Sequence, residues 1–282
     1  MTHILEATGR FLRRYWLIPA FLLAIVMLAA TTDILERFFV YYPASKVEGD
    51  PSLLGMPFED IYLKTQDGLR LHGWLVSKPD AVHTFLIFHG NAGNIGHRLD
   101  WIRMLYDLNA NILIIDYRGF GNSEGRPCEK GLYLDARAAH DWVRRQRPKE
   151  RDTLVLLRES LGGAVAVELA SVVPVKALIL QSAFTSAWDM AKTIMPLGLL
   201  RPLAGISFDS QSKIKRIHCP KPIIHGSRDE IVPLRLGKKL FSAAAPPKEF
   251  YEVPGAGHND LLAIAGDDYV RRIRAFLDSL PR

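Results

Sequence analysis

Residues 153–170 read TLVLLRESLGGAVAVELA. The run 153–157 is short, continuous and apolar, as in a strand buried on both faces. Ser160 and two glycines follow, and small apolar residues then lead into a helix. Strand, sharp turn and helix therefore meet at Ser160. A serine in that place stands at the carboxyl edge of a sheet, where a nucleophile can be reached. Small residues two before and two after it let strand and helix approach closely; Gly162 meets that need and Arg158 does not. A serine ahead of a helix also serves as an N-cap, so this stretch alone leaves both roles open.

Outward from it the alternation repeats. Apolar runs at 84–88, 112–116, 177–181 and 222–224, and a last strand at 249–253, are separated by helical stretches near 97–108, 130–147, 161–172, 235–244 and 265–279. Two earlier runs, 59–64 and 70–77, alternate around Gln66-Asp67-Gly68 and read as a hairpin. This pattern implies an α/β fold, a mostly parallel sheet opened by an antiparallel hairpin and flanked by helices. Residues 184–217 break the rhythm. They carry Trp188, Met190, Met195, Leu197, Leu199 and Leu200, too apolar for a plain loop. A short helical cap is expected there, with Trp188 toward the substrate pocket. The plainer alternative is a crossover helix with a long connection.

A serine hydroxyl is a weak nucleophile; it needs a base, and the base needs an acid to hold its tautomer. The loop HGSRDEIVP, 225–233, places Asp229 after a buried strand, and PGAGHND, 254–260, places His258 in a glycine-rich loop after the last strand. A lone Asp or His in such a loop is usually a turn residue or a satisfied polar contact. Serine, acid and histidine in this order, each at a strand's carboxyl end, argue for a triad instead. Glu230 is the rival acid, but Asp229 comes first after the strand and has the shorter side chain. Acyl transfer also needs an oxyanion hole, usually of two backbone N–H groups. Leu161, directly after the serine, and Asn91, in HGNAGN at 89–94, are the residues expected to supply them. That second loop lacks the trailing Lys-Ser/Thr of a phosphate-binding loop. DYRGFGNSEG, 116–125, is expected to fix loops around the site, with Tyr117 lining the pocket.

With 282 residues, 48% hydrophobic and 23% charged, the chain can bury one large α/β core. Its net charge of +6 is spread out, without a basic run or a nucleic-acid motif, so no nucleic-acid partner is expected. The two cysteines, Cys128 and Cys219, form no disulfide framework and no metal spacing, so no metal is expected. The amino terminus is the compositional break. YWLIPAFLLAIVMLAA, 15–30, follows Arg10, Arg13 and Arg14 and precedes Asp33 and Glu36. It is slightly short of the roughly 20 residues of a spanning helix, but its neighbours can extend it. Residues 1–32 are therefore expected to be a transmembrane signal-anchor, with the amino end cytosolic and the rest exported. A cleaved signal peptide is the competitor, but Leu28 stands where an A-x-A site wants a small residue. Residues 33–57 are expected as a linker and 58–282 as the catalytic domain.

Taken together, HGNAGN, DYRGFGNSEG, SLGGA at 160–164, HGSRDEIVP and GAGHND resemble the α/β-hydrolase superfamily. The chain is similar to its membrane-anchored branch, typified by bud-emergence-type proteins and alpha/beta hydrolase domain-containing protein 13. The resemblance covers roughly 38–280. It implies an eight-stranded sheet, no cofactor, Ser160 as nucleophile, His258 as base and Asp229 as orienting acid. The departure is Arg158, where the family pattern has glycine; an arginine there crowds the turn unless it finds a lateral exit. The expected activity is hydrolysis of a carboxylic ester or thioester of a lipid-like or acylated substrate. Peptide or amide hydrolysis by the same triad is one alternative. A catalytically impaired binding module, suggested by Arg158, is the other.

Overall fold

A computed structural model describes Glu36, residues 39–194 and residues 206–281. The apolar runs form a central sheet. In chain order, β1 is Tyr42–Pro43, β2 Glu59–Lys64, β3 Arg70–Val76, β4 His83–Phe88 and β5 Ala92–Gly93. They are followed by β6 Ala110–Ile115, β7 Leu154–Glu159, β8 Ala177–Gln181, β9 Lys221–Gly226 and β10 Lys248–Val253. Eight of these strands pair in the order β10-β9-β8-β7-β4-β6-β3-β2. All neighbours are parallel except β2–β3 and β3–β6, so the opening hairpin is the antiparallel part.

The continuous apolar strands have two buried faces to fill. Leu86 and Phe88 of β4, with Leu154 and Leu156 of β7, enter one core; Phe85, Ile87, Val155 and Leu157 enter the other. Each core is closed by helices. The first takes α2 (Glu129–Gln146), α3 (Leu161–Val172) and α6 (Leu234–Ala243), through Leu132, Val143, Val165 and Leu240 among others. The second takes α1 (Leu99–Asp107) and α7 (Leu261–Asp278), through Ile102, Leu105, Tyr269 and Ile273. Strand β2, at the sheet edge, buries only alternate residues, which is why it read as amphipathic.

Residues expected as a linker are partly built into this unit. Tyr41 is buried in the first core, Met56 in the second, and β1 pairs with β5, so the folded unit begins ahead of residue 58. In the expected cap, α4 (Ala187–Ile194) and the short α5 (Ser210–Lys213) are formed, while 195–205 lie outside the described residues. The expected anchor at 1–32 also lies outside them. Among the described residues no helix is long and apolar enough to cross a membrane. Cys128 and Cys219 are both free thiols.

Candidate active site

Ser160 sits between β7 and α3 with φ 52° and ψ −119°, a backbone conformation that L residues rarely adopt. The surroundings over-determine it. Its N–H donates to Gln181 O on β8, and its carbonyl accepts from Gly163 N–H. Gly162 permits the approach of α3: a Cβ there would lie 2.1 Å from Phe88 O at the end of β4. Strand, turn and helix thus converge on the serine. Leu161, as the first residue of α3, has an N–H with no intrahelical acceptor.

The loop after β4 comes up beside the serine. A Cβ on Gly90 would be 3.9 Å from Ser160 Cβ. The carbonyl of Gly90 accepts a hydrogen bond from His89 Nδ1, at 2.8 Å. A trans peptide points its C=O and N–H in opposite directions. Holding Gly90 O therefore fixes where Asn91 N–H points. Behind His89 stands Asp116, fully buried, whose carboxylate lies 3.5 Å from His89 Nε2 and accepts Ile95 N–H. Burial opposes the charge on Asp116, but His72 and His89 outweigh it and hold its carboxyl below the usual range.

Asp229 and His258 meet as neighbours. His258 Nδ1 lies 3.0 and 2.9 Å from the two Asp229 oxygens, and both residues are buried. Asp229 Oδ1 also accepts the N–H groups of Ile231 and Val232. Burial raises the cost of ionising Asp229, but the hydrogen bond and charge of His258, with Val232 N–H, keep its carboxyl below the ordinary value. With Nδ1 committed to Asp229, Nε2 is the ring atom left to serve as base. Among the described residues Ser160 Oγ makes no hydrogen bond to His258, whose bonds run to Asp229; such contacts commonly tighten only with substrate bound. Glu230, the rival acid, is exposed.

Arg158 takes the lateral exit that the sequence left open, and Tyr117 departs from its expected setting. Arg158 does not crowd the turn: its fully buried side chain crosses to β8, where Nη2 donates to Ile179 O at 2.8 Å. That is the lateral exit, and it is internal. Burial lowers its pKa to about 10 against the opposing pull of Tyr117, Tyr269 and Glu159. Tyr117, expected at the pocket wall, is fully buried, stacks on Phe88 and donates its hydroxyl to His89 O. It braces the loop after β4, because its ring sits within the core. Trp188 lies on α4, half-buried, with the Lys192 ammonium 5.0 Å from its ring centroid.

The residue missed from sequence is His225. It is buried, donates Nε2–H to Val232 O at 2.8 Å and stands 3.4 Å from Asp229. Burial lowers its pKa, so the neutral ring ties the acid loop closed. The signal for it was the repeated His-Gly at two strand ends. Among the described residues no group of three or more His, Cys, Asp or Glu is gathered as a metal site. An open cavity of about 170 Å³ is lined by Asp50, Phe58, Asp60, His72 and Trp74, not by Ser160.

Comparison with known proteins agrees with this architecture. Residues 83–205 match the model of the alpha/beta hydrolase fold. An uncharacterized protein of Mycobacterium tuberculosis is 37% identical over 261 residues, 90% of this chain and 93% of that one. Protein bem46 of Schizosaccharomyces pombe is 35% identical, covering 84% of each chain. The alpha/beta hydrolase domain-containing protein WAV2 of Arabidopsis thaliana is 35% identical, covering 81% of each. The solved esterase Pf2001 of Pyrococcus furiosus shares the fold, with a TM-score of 0.73 at 21% identity over 86% of this chain and 99% of that one. With such relatives matched over nearly their whole length, the chain belongs to the α/β-hydrolase family.

Proposed function

We propose that this protein is a serine hydrolase cleaving a carboxylic ester or thioester. The observation that carries the reading is the strained backbone of Ser160, with φ 52°, at a turn where a strand end and the first N–H of a helix converge. His258 Nε2 takes the proton of Ser160 Oγ as the oxygen attacks the acyl carbonyl. Asp229 stabilises the imidazolium, and the N–H groups of Asn91 and Leu161 receive the oxyanion. His258 then hands its proton to the leaving alcohol or thiol, leaving an acyl-serine. Water, deprotonated by His258, releases the acid and restores the serine. An apolar run at 15–30 and the apolar composition of 184–217 support a lipid-like or acylated substrate and a single-pass membrane protein with its catalytic domain exported.

The test is labelling of membrane fractions with a fluorophosphonate in wild type, Ser160→Ala and Arg158→Gly. Labelling that disappears in Ser160→Ala is expected. A wild type that stays unlabelled while Arg158→Gly labels strongly would instead favour a binding module silenced at the turn. A panel of acyl esters, thioesters and aminoacyl amides then separates esterase from amidase; turnover confined to the amides rejects the ester reading.

A further inference from the structure

The loop that carries Asn91 is bonded on its outer side to the segment that follows the apolar amino-terminal run. Tyr42 N–H donates to Asn91 O at 2.8 Å, and Asn91 Nδ2 donates to Val40 O at 2.8 Å. Two residues on, Ala44 N–H donates to Gly93 O, making the short parallel ladder β1–β5. Ala44 O in turn accepts from Asn94 Nδ2 and from Gly121 N–H, in the loop after β6. The segment is itself pinned. Tyr41 is buried, and its hydroxyl donates to Glu36 Oε1, which also accepts Glu129 N–H at the start of α2. The Glu129 carboxylate accepts the N–H groups of Ser207 and Phe208, where the chain returns from the cap segment.

We propose that residues 40–44 are a positioning strap for the oxyanion hole, an inference that rests on the serine-hydrolase reading above. The physical reason is local. Gly90 O is held from inside by His89, and Asn91 O and its side chain are held from outside by the strap. The N–H between those two carbonyls, the one assigned to the oxyanion, is then aimed by both contacts. Without the strap, Asn91 keeps its N–H but loses the restraint on where it points. Preorganised donors lower a barrier because they do not reorient during reaction. The strap is thus a positioning element, not a catalytic group, and it lies directly downstream of the segment expected to enter the membrane.

The experiment compares full-length Tyr42→Pro, which deletes the donor N–H, with Tyr42→Ala, which keeps it, on the best ester substrate of the wild type. Proline occurs at the first residue of a strand, and here its ring carbon replaces the hydrogen that met Asn91 O, so the tether is both lost and pushed away. Removing a whole oxyanion donor costs on the order of 100-fold or more, so a misaimed one should lower kcat roughly 10-fold or more. The expected result is that Tyr42→Pro falls below Tyr42→Ala by that factor in kcat, with KM within about 2-fold and the same melting temperature. Equal kcat values in the two variants overturn the strap while leaving the serine-hydrolase reading in place. A wild type that neither turns over esters nor labels at Ser160 overturns both. Should Tyr42→Pro fail to fold, Asn91→Leu removes the tether to Val40 O but keeps the backbone N–H. A loss confined to kcat then supports the strap, and wild-type kcat rejects it.

Discussion

His89-Gly90 and His225-Gly226 are the same dipeptide at the carboxyl ends of two parallel strands, β4 and β9, yet they do different work. The His89 ring turns back onto its neighbour, donating to Gly90 O, and rests against Asp116. The His225 ring reaches forward to Val232 O and closes the loop that holds Asp229. The glycines differ as much. A Cβ on Gly226 would fall 2.4 Å from both Ala256 O and Gly257 O, in the loop that presents His258. A Cβ on Gly90 would meet nothing nearer than Arg98 Nη2 at 3.8 Å. One turn brings two loops into contact, and the other orients a single peptide.

The largest effect should come from Gly226→Ala. Its methyl group drives the histidine loop off the acid loop, and an overpacked contact costs about 1–3 kcal/mol. A displacement near 1 Å at reacting groups costs about 100-fold in rate, so fluorophosphonate labelling should fall by that order. Undiminished labelling with unchanged urea stability would show that the two loops do not depend on this glycine.

Next is His225→Leu, which leaves Val232 O buried without its donor, at a cost of about 1–3 kcal/mol. It should also change the pH dependence. The folded pKa of His225 is lowered, so its contribution to stability is present above the unfolded value near 6.5 and is lost as pH falls through the folded value. The variant should lack that acid-side loss when melting temperature is followed from about pH 8 to about pH 5. An identical slope in both proteins counts against a buried neutral imidazole.

His72 on β3, which shares Asp116 with His89, sharpens the contrast. Burial works against its charge, but the Asp116 and Asp60 carboxylates prevail and raise its pKa. Its contribution is therefore full below about 6.5 and lost as pH rises through the folded value. His72→Gln should remove an alkaline-side loss rather than an acid-side one. Removal of an acid-side loss by both substitutions would erase the distinction between these two histidines.

Smallest of all is Gly90→Ala, whose stability should stay within about 0.5 kcal/mol of wild type, since the methyl group meets only ordinary contacts. A denaturation midpoint shifted as far as that of Gly226→Ala would break the comparison.

Much of the sheet was legible because its strands are continuous apolar runs, and the chain has few other ways to bury them. The hairpin at Gln66-Asp67-Gly68 and the strands around 84–88, 112–116, 153–157 and 177–181 formed within a residue or two of the expected bounds. Tyr117 was misjudged because a tyrosine after a strand end reads the same whether it faces a pocket or a core. His225 was overlooked because its acceptor, Val232 O, is a backbone atom without a sequence signature.

By itself the sequence determined the parallel α/β sheet, the turn at Ser160 and the chain order of serine, acid and histidine. Periodicity and glycine placement are local, and local patterns suffice for those features. The sequence favoured Asp229 over Glu230, but only the tertiary structure brought both Asp229 oxygens within about 3 Å of His258 Nδ1 and left Glu230 exposed. It alone also decided the course of Arg158, which crosses to Ile179 O, and of residues 40–44, which strap the loop of Asn91. Each depends on which carbonyl or N–H a distant segment brings within 3 Å, and every residue carries the same backbone groups whatever its name.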